Sequence, residues 1–189
     1  MLIKLFGIVV RLFGRIMRKI RTKLLSSGFG AWGQGGDISR GFQSNASFQI
    51  CCGNNVFLNE YMWVSFNNDK GKLNIEDDVY VGRFCTISIS SLITIKKNAL
   101  ISDRVFIGDC NHGYKNLCLP ISQQPIIFSG TVEIGEGCWI GAGVAILPGV
   151  SIGKNSVIGA NSVVTCNVPD YCIAVGNPAS VIRKLAVDK

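Results

Sequence analysis

From Ile134 onward an aliphatic residue returns every sixth position: Ile134, Ile140, Ile146, Ile152, Ile158 and Val164. Glycine follows most of them. Four residues after each aliphatic stands a small or aliphatic side chain: Cys138, Val144, Val150, Ser156 and Ser162. An amphipathic helix repeats near 3.6 residues and a half-buried strand near 2, so a sustained period of six is neither. It predicts an all-β chain winding a triangular prism, one hexad per face. The aliphatic residue points inward, glycine helps the turn, and the small residue fits the narrow interior.

The same register reads upstream at Cys52, Leu58 and Val64, then at Ile75, Val81 and Ile87. It slips by two residues and continues at Ile95, Ile101 and Ile107. Asn67 to Lys72 form a polar turn. With about three hexads per coil, five to seven coils are expected. Residues 109–131 break the pattern and hold Gly113, Pro120, Pro125 and Gly130. They read as a loop thrown out from the prism, and interruptions on one face of a repeat commonly carry binding function. The expected division is a helix over 1–27, a flexible linker over 28–36, the prism over 37–176 and a C-terminal segment over 177–189. Ala179 to Val187 are expected to close the structure as a short helix.

Composition narrows the function. The chain has 189 residues, enough for one domain with a substantial core. It contains 1 histidine, which leaves no zinc site built on several histidines. Its 8 cysteines form no C-x-x-C pair. Cys85 and Cys138 fall on the inward small position and read as core filler, while Cys51 and Cys52 are adjacent. Together they point to a reducing, cytoplasmic compartment. No G-x-x-x-x-G-K-[ST] run is present, and no G-x-G-x-x-G lies between a strand and a helix, so P-loop and Rossmann nucleotide sites are rejected.

The formal net charge is +7. Lys4, Arg11, Arg15, Arg18, Lys19, Arg21 and Lys23 account for all of it, since the first acid is Asp37. At about 100° per residue, Lys4, Arg11, Arg15 and Arg18 share one helix face. Leu2, Leu5, Phe6, Val9, Leu12, Phe13, Ile16, Met17, Ile20 and Leu24 spread over the other side. Two readings stay open: a helix packed on its own domain or on a partner subunit, or one lying peripherally on an anionic membrane. Basic residues run throughout and no small-residue cleavage site stands out, so a signal peptide is not expected. Without a nucleic-acid module, and with so apolar an opposite face, nucleic acid is not an expected partner.

The hexads, together with the tail Gly176-Asn177-Pro178-Ala179-Ser180-Val181-Ile182-Arg183-Lys184, resemble the hexapeptide-repeat acyltransferases. Within them the likeness is to the sugar and polysaccharide O-acetyltransferase branch, which includes the maltose and galactoside acetyltransferases. The resemblance covers roughly residues 37 to 184. It implies a left-handed parallel β-helix, a homotrimer, and acetyl-CoA as co-substrate without a metal. The loop opens with Asp109-Cys110-Asn111-His112-Gly113-Tyr114, similar to the family's Asp-x-Asn-His-Gly-Tyr. The resemblance implies that His112 is the general base. A sugar hydroxyl is a poor nucleophile, and imidazole titrates near neutrality, so it can take the proton during attack on a thioester. Asp109 either orients that imidazole or is a turn residue bonding its own backbone. Asn111 and Tyr114 are candidate acceptor contacts. Some members carry an asparagine on an earlier coil that contacts substrate, and the closest match here, Val81 to Ile87, has Phe84.

The resemblance also implies a donor groove between subunits, lined by Trp139, Gly141, Ala142, Gly159, Ala160 and Thr165. Small residues there let backbone approach the pantetheine closely. Trp139 stands on an outward position and packs either on the pantetheine or across a subunit interface. The position after Thr165, often lysine in the family, is Cys166, which shifts charge toward the donor's phosphates onto Arg183 and Lys184. The expected activity is acetyl transfer to a sugar hydroxyl in bacterial surface-polysaccharide synthesis, on a sugar or lipid-linked oligosaccharide acceptor at the inner face of the cytoplasmic membrane. The competing readings are N-acetylation of a nucleotide-linked amino sugar and a non-enzymatic scaffold.

Overall fold

The structure, a computed structural model, describes residues 2–186, and side chains for all of these except 2–5, 7–9 and 11. One helix, α1 (Leu2–Ser26), precedes a prism of short parallel strands. Three sheets form its faces. Face 1 stacks Ala31–Trp32, Ile50–Cys52, Lys72–Ile75, Leu92–Ile95, Val132–Ile134 and Ser151–Ile152. Face 2 stacks Asp37–Ile38, Phe57–Leu58, Tyr80–Val81, Leu100–Ile101, Trp139–Ile140, Val157–Ile158, Cys172–Gly176 and Ala179–Lys184. Face 3 stacks Gln43–Ser44, Trp63–Phe66, Thr86–Ile89, Phe106–Gly108, Ala145–Ile146 and Val163–Val164. The chain visits the faces in the order 1, 2, 3 for six coils before ending on face 2.

The hexad register sets the core. Every aliphatic residue of the repeat is buried, with Ile134, Ile140, Ile146, Ile152, Ile158 and Val164 at most 1% exposed. Partners stack in columns, such as Val81, Ile101, Ile140 and Ile158 on face 2. The small second position is equally buried. Ser156 and Ser162 spend their hydroxyls holding the last coil, Ser156 Oγ accepting from Cys172 N–H at 3.1 Å and Ser162 Oγ from Gly176 N–H at 3.0 Å. Cys85 and Cys138 lie in the core as expected. Burial pushes the Cys85 thiol up to about 11 and the Cys138 thiol up as well, so both are inert filler.

Two expectations are corrected. The segment expected to be a linker is part of the first coil. Ala31 and Trp32 pair with Cys51 and Cys52, and Phe29 packs on Trp32 and Phe42 to plug the base of the prism. The glycines there serve close stacking: a Cβ on Gly33 would strike the backbone of Gly53. The C-terminal closing element is a strand, Ala179–Lys184, antiparallel to Cys172–Gly176. It covers the last strand's open edge on face 2, and β-branched Val181 and Ile182 suit that role better than a helix. Val187, the expected end of that helix, lies outside the described residues.

Departures from the hexad gather at one corner. Register partners Glu133 and Ser151 are 18 residues apart, three hexads, whereas Thr94 and Glu133 are 39 apart. The surplus falls where face 3 turns into face 1: residues 45–49, 67–71, 90–91 and 109–131. These extended corners stack. Gln49 Nε2 donates to the carbonyl of Gly71, and Asn68 Nδ2 donates to Ser90 O at 2.9 Å. The slip of two residues between Ile87 and Ile95 is one layer of this stack.

Candidate active site

The loop at 109–131 leaves the prism from the top of that stack. Asp109 is 0% exposed, and its carboxylate accepts the backbone N–H groups of Ser90 at 2.6 Å and Ser91 at 2.7 Å. Its own carbonyl accepts Ser129 N–H at 3.0 Å, closing the neck. Beyond the neck, Cys110–His112 pairs antiparallel with Ile126–Phe128, His112 opposite Ile126. Further out, Gln124 fixes the turn by donating to Asn116 O and Leu119 O and accepting from Asn116 N–H. The returning chain re-enters through Gly130, at φ +120°, where a Cβ would strike Gly149 of the next coil.

This hairpin holds His112 over face 3. A cleft of about 440 Å³ lies beneath it, lined by Ser65, Asn67, Ser88, Phe106, Cys110, Asn111, His112 and Ile126. Asn67 donates to Ser88 Oγ at 3.3 Å and to Cys110 Sγ at 3.1 Å, tying the floor to the hairpin. The imidazole is solvent-accessible and the floor is uncharged. Such a site can accept a proton from a bound hydroxyl without a buried counter-charge.

Asp109 belongs to this unit through backbone. Both its oxygens accept backbone amides of the previous corner, not of its own turn, and no bond joins it to His112. Removing the carboxylate strands two amides, of which Ser90's is buried. Asp109→Ala is therefore expected to loosen the hairpin locally by about 1–3 kcal/mol. Hydrogen exchange checks it: residues 110–128 should exchange faster while the hexad core keeps its protection.

Asn111 lines the cleft, while Tyr114 is 64% exposed and stands outside its lining. An asparagine of an earlier coil lines the cleft at a place the hexad alignment does not reach. Phe84 stacks on Tyr61 at the corner between faces 2 and 3, with centroids 5.2 Å apart, and Asn67 occupies the cleft. Only the polar turn at 67–72 signalled it. Ser65, Ser88 and Phe106 were also missed. They sit on outward strand positions that carry no sequence signal until the loop is seen to fold over them.

The expected donor residues lie elsewhere on the same chain. Gly141 stacks on Gly159 and Ala142 on Ala160 at the corner between faces 2 and 3, with Gly141 N–H donating to Ile158 O at 2.8 Å. Trp139 adjoins them on face 2, 51% exposed, its Nε1 donating to Ser102 Oγ at 3.2 Å. Thr165 lies across face 3 at its far edge. Arg183 and Lys184 are exposed on the last strand of face 2. One chain thus gathers Trp139, Gly141, Ala142, Gly159 and Ala160 into a patch, and it does not bring that patch to His112.

Residues 131–166 match the model of the bacterial transferase hexapeptide, six repeats. A probable acetyltransferase of Mycobacterium tuberculosis is 40% identical over 60% of this chain and 38% of its own length. A putative lipopolysaccharide biosynthesis O-acetyl transferase, WbbJ of Escherichia coli, is 36% identical over 61% of this chain and 62% of its own. A maltose O-acetyltransferase from Clostridium difficile is 31% identical, with 88% of this chain and 75% of that one superposing at a TM-score of 0.59. The chain belongs to the hexapeptide-repeat transferases. Its fold is the left-handed parallel β-helix of that family. The N-acyltransferase AntD from Bacillus cereus, solved with dTDP and 3-hydroxybutyryl-CoA, superposes at a TM-score of 0.74 over 88% of each chain, and at 23% identity that likeness concerns the fold alone. The chain spans under two thirds of the length of the two curated relatives.

Proposed function

We propose that this hexapeptide-repeat protein transfers the acetyl group of acetyl-CoA to a sugar hydroxyl during synthesis of a bacterial surface polysaccharide. The observation that carries the reading is the chain's single histidine, held by a pinned hairpin over an uncharged cleft of sugar-compatible groups. His112 takes the hydroxyl proton as the oxygen attacks the thioester carbonyl. The carbon–sulfur bond breaks, and the proton passes from the imidazolium to the departing CoA sulfur. No covalent enzyme intermediate is needed. Asn111 and Asn67 orient the acceptor, and Asp109 positions the hairpin. Parallel assays with hydroxyl and amino-sugar acceptors test oxygen against nitrogen transfer. Turnover confined to amino sugars of nucleotide-linked precursors would overturn the O-acetyl reading, and turnover of neither would leave the scaffold reading standing.

The separation of His112 from the donor patch supports a homotrimer, in which one subunit's loop meets the next subunit's corner. Face 2 offers a surface for it. Phe57, Tyr80, Leu100 and Trp139 form an outward column, each between 37% and 51% exposed. Light scattering is expected to give the mass of three chains, and an active monomer would refute the shared groove. Trp139→Ala is expected to weaken acetyl-CoA binding by about 1–3 kcal/mol if the indole covers the pantetheine. An unchanged KM for acetyl-CoA in a folded variant assigns Trp139 to the subunit contact instead. We place the enzyme in the cytoplasm, peripherally on the inner membrane surface through α1.

A further inference from the structure

The cleft under His112 does not end at the residues that enclose it. Two outward columns run from it down face 3 toward the first coil. One is Phe106, Thr86, Trp63 and Gln43 in register, and the other is Ser88 above Ser65. Strands in a sheet lie about 4.8 Å apart, so Phe106 to Gln43 spans roughly 14 Å, longer than a single sugar ring. Trp63 is 43% exposed on this strip, two residues before Ser65 on the same strand and face. An outward, half-exposed tryptophan on a strand calls for a ligand or a partner.

The chemistry of the strip is specific. The hydroxyls of Ser65 and Thr86 have no hydrogen-bond partner among the described residues, and Asn67 keeps its side-chain oxygen free to accept. Neither column carries a lysine, an arginine or an acid. Apolar ring faces beside unspent hydroxyls and amides match a pyranose, which is apolar on its faces and ringed with hydroxyls. The absence of cations disfavours the diphosphate of a nucleotide sugar, which would demand charge-assisted partners.

We propose that face 3 between His112 and Gln43 is an extended glycan-binding strip with Trp63 as its remote platform, so that the acceptor is an oligosaccharide chain rather than a single sugar. This rests on the acetyl-transfer reading and names its substrate class. The acetylated unit sits under His112, and further sugar units lie along Thr86, Ser65 and Trp63 toward the end of the prism that carries α1.

The test uses the full-length protein, radiolabelled acetyl-CoA and envelope carbohydrate from the producing cells, separated by size. Label is expected in fractions longer than a monosaccharide. Trp63→Ala should cut that incorporation about tenfold at limiting glycan, and Trp63→Phe, which keeps a ring face, should restore most of it. The melting temperature, oligomeric mass and CoA affinity of both variants should match the parent. Label confined to monosaccharide or sugar-nucleotide fractions overturns the strip and leaves acetyl transfer standing. So does an undiminished Trp63→Ala rate. A Trp63→Ala protein that dissociates makes face 3 a subunit contact and also overturns it. Label in no fraction overturns both this inference and the transferase reading.

Discussion

His112→Ala is expected to lower kcat by about 10²–10⁴, the usual size of general-base assistance, while the protein keeps its melting temperature. The fold should survive because the side chain is exposed and makes no hydrogen bond within the described residues. What holds the hairpin is the Asp109 carboxylate, the pairing with Ile126–Phe128 and the Gln124 clamp, and none of these involves the imidazole. The KM for acetyl-CoA should change little, since the substitution alters none of the residues proposed to hold the donor. Only the proton transfer is removed, so kcat and kcat/KM for the acceptor should fall together. The measurement is a steady-state assay of CoA release with a turned-over sugar acceptor. A variant with near-parental kcat would remove His112 from the mechanism, and the cleft would then need another proton acceptor. The lining supplies no carboxylate for that role, so the loss would count against acetyl transfer in this cleft altogether.

The prism was legible because its period is enforced by packing. One aliphatic residue per hexad faces an interior with room for little else, so Ile134 to Val164 announce their own burial. The ejected loop was legible for the complementary reason, as a stretch where that constraint lapses. The ends were harder to read. Gly30, Gly33 and Gly36 look like a flexible linker in isolation, and only the coil above them shows that the glycines permit stacking. Ala179 to Lys184 mix small, β-branched and basic residues that a helix tolerates, and an open sheet edge decided for a strand. The site was half legible. His112 and Asn111 belong to a local motif, but Asn67, Ser65, Ser88 and Phe106 enter the cleft from other coils. The corner insertions that place Asn67 there obey no period.

Deleting residues 1–27 is expected to abolish binding to anionic vesicles and to leave transfer to small soluble acceptors intact. The argument rests on which face of α1 the prism uses. Thr22 Oγ accepts Ile38 N–H at 2.8 Å, and Arg18 pairs with Asp37 at 3.8 Å, so the helix docks by a polar edge of its last turns. At about 100° per residue the opposite side carries Phe6, Phe13, Ile16, Met17, Ile20 and Leu24. All are exposed, from 41% at Met17 to 71% at Phe6. The side chains of Leu2, Lys4, Leu5, Val9 and Arg11, counted to these faces from sequence, lie outside the described residues. No helix among the described residues is long and apolar enough to cross a membrane. Basic residues near an anionic leaflet contribute about 1 kcal/mol each. If three of Arg15, Lys19, Arg21 and Lys23 reach it, affinity rises by about two orders of magnitude over neutral lipid. Burial of the apolar face adds to this, and three helices at one end of a trimer add avidity where all three reach one plane. Co-sedimentation with phosphatidylglycerol vesicles, compared with phosphatidylcholine and repeated in high salt, measures both terms. A deletion variant that still pellets removes α1 as the anchor. A deletion variant that dissociates into monomers assigns the exposed face to a neighbouring subunit, because the apolar side would then be a protein contact that salt does not weaken.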